Sequence, residues 1–88
     1  MNKKIQAFTK ATGQIMANLA ERWADEKEYE NIEDYRKPLL SHCETHGVTI
    51  TKMLKEPFGC ELTADGYSYR LTVKLTKTKA LVQTELIG

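Results

Sequence analysis

The chain has 88 residues, 41% of them hydrophobic, with one tryptophan, four tyrosines and two phenylalanines, and 13 basic against 12 acidic residues for a formal net charge of +1. That length suits one domain on one core and excludes the housing of a large active site; the apolar and aromatic content excludes a disordered chain; the near-zero net charge singles out no class of partner. Cys43 and Cys60 are too few for a disulfide scaffold, the first residues lack the features of a secretory leader, and no apolar run approaches the roughly 18 residues that span a bilayer, so the expected compartment is the cytoplasm, with no membrane partner.

Residues 4–28 carry a helical period. At 100° per residue Ile5, Phe8, Thr12, Ile15, Met16, Leu19 and Trp23 fall within an arc of roughly 100°, the width of a core-facing stripe. Gly13, Ala17, Ala20 and Ala24 cluster on the adjacent flank. A glycine inside a helix costs about 1 kcal/mol relative to alanine, so Gly13 points to a backbone passing close by, either within the chain or in a second copy across a self-association face. Seven acids follow or overlap the end of this helix, Glu21, Asp25, Glu26, Glu28, Glu30, Glu33 and Asp34, against only Arg22 and Lys27. Asn31 with Asp34 three residues on resembles a capping box for a short turn. Pro38 suits the start of a further helix, with Leu39, Leu40 and Cys43 inward.

The stretch HCETHG at residues 42–47 places two histidines four apart beside a cysteine. It reads as a helix end: Gly47 supplies the left-handed residue that closes a helix, and His46 in the last turn is favourable there when protonated. His42 and His46 share a face, but two ligands are short of the three or four that zinc uses, and Cys43 lies about 100° round the helix from His42. Neither a metal nor another cofactor is expected.

After Gly47 the period falls to two. Residues 48–54 form a first strand, with Val48 and Ile50 on one face. Residues 58–63 form a second, with a bulge expected at Gly59. Asp65-Gly66 is a two-residue hairpin turn. In the third strand Tyr67, Tyr69, Leu71, Val73 and Leu75 alternate inward against Ser68, Arg70, Thr72, Lys74 and Thr76. Residues 77–79 turn the chain into a fourth strand, 80–87, whose weaker alternation points to cover on both faces or to pairing outside the chain. The expected fold is α+β: a single domain over 1–88, with a helical part at 1–46 made of a long N-terminal amphipathic helix and one or two short helices, packed on a four-stranded antiparallel β-meander at 47–88.

Phosphate loops, paired catalytic carboxylates and a cysteine–histidine nucleophile pair are all missing from this pattern, so no enzyme is expected. Two surfaces remain. Acidic residues Asp25, Glu28 and Glu33 with Tyr29 and Tyr35 among them suit docking on another protein, the tyrosines supplying area and the acids orientation. This makes the expected function a protein–protein interaction module, an inhibitor of, or small subunit in, a bacterial or phage complex of anti-defence type. Self-association as a homodimer would use Gly13, Ala17, Ala20 and Ala24 or the last strand. The alternative is nucleic-acid binding through a basic hairpin carrying Arg70, Lys74, Lys77 and Lys79.

Overall fold

The computed structural model describes residues 2–26 and 29–88, the side chains of 26, 29 and 30 excepted. Helix α1 (Lys3–Glu26) is followed by a 3-10 segment (Tyr29–Leu39), helix α2 (Leu40–His46) and strands β1 (Thr49–Leu54), β2 (Gly59–Ala64), β3 (Tyr67–Leu75) and β4 (Ala80–Leu86). The strands pair antiparallel in the order β1-β2-β3-β4, so the α+β meander read from the sequence is the one observed.

Asn2 starts α1. Its side-chain oxygen accepts the Lys4 N–H at 2.7 Å, and its carbonyl accepts the Gln6 N–H, the arrangement that satisfies the open first turn of a helix. The stripe of Ile5, Phe8, Met16, Leu19 and Trp23 is buried, and Thr12 within it is satisfied by donating its hydroxyl to the Phe8 carbonyl at 2.7 Å. Gly13 departs from expectation, since a Cβ built there meets nothing within 4 Å. Of its small neighbours only Ala20 is buried, while Ala24 is exposed.

The close approach occurs at Gly59 instead. A Cβ there would collide with the Leu71 carbonyl oxygen and lie 2.8 Å from Thr72 Cα, because Gly59 sits opposite Thr72 in the β2–β3 ladder. The bulge expected at Gly59 is displaced into β1, between Ile50 and Lys52. There Thr51 is the extra residue, and its hydroxyl reaches the Glu61 carbonyl at 3.3 Å. The β2–β3 turn has positive φ at Asp65 (52°) and Gly66 (82°), as a two-residue turn of that type requires. Asp65 then receives Lys4 Nζ and Asn2 Nδ2, both at 2.9 Å, which ties the start of α1 to the hairpin. Those two bonds hold the Asp65 carboxyl below the usual carboxylate range.

Helix α2 ends as the sequence indicates. Gly47 is left-handed (φ 66°, ψ 30°), its N–H bonds to the Glu44 carbonyl and the Val48 N–H to that of Cys43, so the last carbonyls are capped. Its beginning differs. The chain is already helical before Pro38, in 3-10 form from Tyr29, with a break at Asn31 (φ −104°, ψ 28°). A proline ahead of Leu40 has no N–H to donate and crowds the preceding turn, which keeps this stretch out of α geometry. Leu39 and Cys43, four apart, face inward, whereas Leu40, a further 100° round, is 49% exposed rather than inward. Tyr67 and Leu75, also expected inward, are 55% and 40% exposed because they lie at the two ends of β3, beyond the cover of the helices.

Helix α1 packs over β3 and β4, and the 3-10 segment and α2 pack over β1. The two groups of helices are joined by an aromatic cluster: Trp23 and Tyr35 meet edge to face at 5.2 Å between centroids, and Phe58 lies 5.8 Å from Tyr35 and 6.2 Å from Trp23. The crowding at Gly59 makes one substitution diagnostic of the register. Gly59→Ala should lower the free energy of unfolding in urea by about 3 kcal/mol, the upper range for overpacking against an unyielding backbone, and a wild-type midpoint would contradict the β2–β3 pairing.

Candidate functional site

The acidic segment does not present Tyr35, one of the two tyrosines expected of it. Tyr35 is 2% exposed and belongs to the core cluster, with the Arg22 guanidinium 4.9 Å from its ring centroid, and Ile32 is buried too. Tyr35 is therefore corrected from a contact residue to a packing residue. Asp25 is exposed on α1; Glu33 is exposed but lies 3.2 Å from Arg36, and its neighbour Asp34 lies 3.6 Å from Lys37, so part of the negative charge is neutralised locally. Glu28 and the side chain of Tyr29 lie outside the described residues.

The basic set divides. Lys74, Lys77 and Lys79 are exposed toward the β3–β4 turn. Arg70 is engaged: one guanidinium nitrogen is 3.1 Å from Glu85 and the other 3.9 Å from Glu61. Those contacts belong to a longer arrangement on the sheet face turned away from the helices. Lys52 stands opposite Glu61, Glu61 opposite Arg70, and Arg70 opposite Glu85. One row of alternating charge thus crosses all four strands, each neighbouring pair contributing about 0.2–1 kcal/mol, and it ends on an acid at the rim of β4.

Strand β4 is the open side of the molecule. Among the described residues nothing pairs with its far side. Ile87 donates to the Ser68 carbonyl at 2.9 Å and Thr76 to the Lys79 carbonyl at 2.8 Å, with an unbroken register between them. Antiparallel alternation then directs the odd-numbered residues of β4 toward β3 and turns the N–H and C=O groups of Ala80, Val82, Thr84 and Leu86 outward. The opposite edge strand, β1, is interrupted by its bulge and packed against the 3-10 segment and α2. The helix-side row of β4 is only half covered: Ala80 and Val82 are partly buried, Thr84 touches Thr9 of α1 at 3.3 Å, and Leu86 is 61% exposed. Leu86 and Tyr67 line a shallow groove of about 500 Å³ with Asn2, Tyr69 and Thr84.

Neither histidine joins a ligand set. His46 packs its ring edge to face against Phe8 at 6.4 Å, and among the described residues no group of three His, Cys, Asp or Glu side chains could hold a metal ion. Both cysteines are buried free thiols. Burial pushes the Cys60 thiol up to about 12, with the nearby Cys43 adding to the effect; burial also raises Cys43, against the opposing pull of the Ile50 backbone and Arg36. Neither is an activated nucleophile at neutral pH.

Sequence reasoning passed over the corner residues Tyr67 and Leu86 and the charge row. The row was within reach, because a two-residue turn at Asp65-Gly66 places Glu61 opposite Arg70 by counting outward from the turn. No family model, curated protein or solved structure matches the chain.

The thiols generate a pH prediction. Their folded values lie above the ordinary value of 9.0, so the unfolded chain loses these protons first and stability is retained below about pH 9 and lost as pH rises from there toward 12. Urea midpoints should therefore fall across that range, and a thiol reagent at pH 8 should modify both cysteines only after unfolding. Rapid labelling of the native protein would contradict the burial.

Proposed function

We propose that the protein is a non-catalytic protein-binding module and that β4 is where the partner attaches. The observation that carries this reading is a seven-residue edge strand with outward backbone groups, beside a groove containing Tyr67 and Leu86. An exposed edge of this kind is a template for strand addition, in which main-chain hydrogen bonds supply affinity and alternate side chains supply selectivity. Buried, protonated thiols support a binding role over nucleophilic chemistry, and two free cysteines suit a reducing compartment such as the cytoplasm. No described helix is long and apolar enough to cross a membrane.

The acidic segment is the weaker surface, since Tyr35 and Ile32 are committed to the core. The nucleic-acid alternative loses Arg70, whose charge is shared between Glu61 and Glu85. Val82→Pro is the discriminating variant, because proline is tolerated at an edge position whose N–H faces outward and removes one donor there while sparing the β3–β4 bonds. Capture of a stoichiometric protein partner should survive nuclease treatment and fall about tenfold or more with Val82→Pro, a loss of the size of one or two backbone hydrogen bonds. Asp25→Lys with Glu33→Lys should leave it unchanged. Capture that tolerates Val82→Pro, or that disappears with nuclease, would overturn the reading.

A further inference from the structure

Resting on the protein-binding reading of β4, we propose that the strand's occupant is the β4 of a second copy, paired antiparallel about a twofold axis at Val82 to make one continuous eight-stranded sheet.

Three independent features meet in this arrangement. The first is hydrogen bonding. The outward groups belong to Ala80, Val82, Thr84 and Leu86, and a twofold at Val82 sets Val82 against Val82 and Ala80 against Thr84, so outward-facing residues meet their own kind on both strands. The second is charge. The row Lys52, Glu61, Arg70, Glu85 alternates in sign and stops at the open edge on Glu85, which is bonded to Arg70 on one side and exposed on the other, so a cation in the next strand would continue the alternation. In this register the residue facing Glu85 is Lys79 of the second copy, on the same face of the sheet by alternation, and the twofold repeats the pair. Lys79 is exposed just before β4 and makes no ion pair among the described residues, while its backbone is held by Thr76.

The third feature is the small-residue flank of α1. Thr9, Gly13 and Ala17 stand four apart on one side of the helix, and Thr9 reaches Thr84 of β4. This side leans over the open edge. A helix lying above β3 and β4 is about one strand spacing from a twofold axis beside β4, so the two copies of α1 stand about 10 Å apart, within the usual range for packed helices. Approach at that distance favours small side chains, and Gly13 has the clear space that a neighbour would need. Gly13, which has no reason within one chain, acquires one between two.

Solution mass measured over a wide concentration range tests the proposal, with circular dichroism confirming that each variant folds. Wild type should have the mass of two chains. Lys79→Glu sets an acid opposite Glu85 twice and should weaken the dimer about tenfold or more, whereas Lys79→Glu combined with Glu85→Lys should restore it, since the pairs are reversed and not removed. Val82→Pro should give a monomer. A dimer indifferent to Val82→Pro and Lys79→Glu, or a double variant that fails to recover, would overturn the proposed pairing. A wild type that stays monomeric would overturn the second copy as occupant; if capture of another protein still depended on Val82, the protein-binding reading would stand without it.

Discussion

Sheet width constrains every other element of this molecule. Three strand spacings of about 4.8 Å put the outer strand axes of a four-stranded sheet roughly 14 Å apart, and a helix with its side chains is about 10–12 Å across. One helix cannot cover such a sheet. Helix α1 takes β3 and β4, and the 3-10 segment with α2 takes β1, so the two groups must be held side by side. The Trp23, Tyr35 and Phe58 cluster does this, drawing one ring from α1, one from the 3-10 segment and one from the residue preceding β2. It also explains why tyrosine in an acidic stretch is buried: the seam between helices needs a large ring, and Arg22 can pack on that ring while reaching solvent.

The same division of labour leaves the two edges unequal. Strand β1 is packed beside the 3-10 segment and α2 and is disturbed by its bulge. Strand β4 is regular, seven residues long and, among the described residues, flanked chiefly by α1 and β3. Natural sheets generally blunt such an edge with a bulge, a proline or an inward charge, and β4 has none of these within its span. Its charges are instead arranged as a row that stops on Glu85. An edge that is regular, half-covered and carries an exposed acid at the end of its charge row is suited to being paired.

Much of this was legible in the sequence. The length of α1, the glycine closure of α2, the Asp65-Gly66 turn and four strands in meander order follow from periodicity and turn chemistry, which are local properties. Burial at element ends was not legible. Tyr67 and Leu75 alternate correctly with their neighbours, yet whether the last residues of a strand are covered depends on where a helix lies above them. The acidic segment misled for a related reason, since charge density says which stretch meets water and not which of its aromatics turn away. Gly13 was singled out as needing a close neighbour, yet within the chain a Cβ there meets nothing within 4 Å, and the close approach falls at Gly59. The weak alternation of β4 does not reflect cover on both faces, since β4 is an edge strand whose helix side is only partly covered.

Residue-resolved hydrogen exchange along β4, at low and high protein concentration, tests the pairing most directly. The amides of Leu81, Gln83 and Glu85 should be protected at both concentrations by their bonds to β3, while those of Ala80, Val82 and Thr84 should exchange freely in dilute protein and become protected as the second copy binds. Rapid exchange at Ala80, Val82 and Thr84 at every concentration, in a protein whose mass nevertheless doubles, would contradict the pairing.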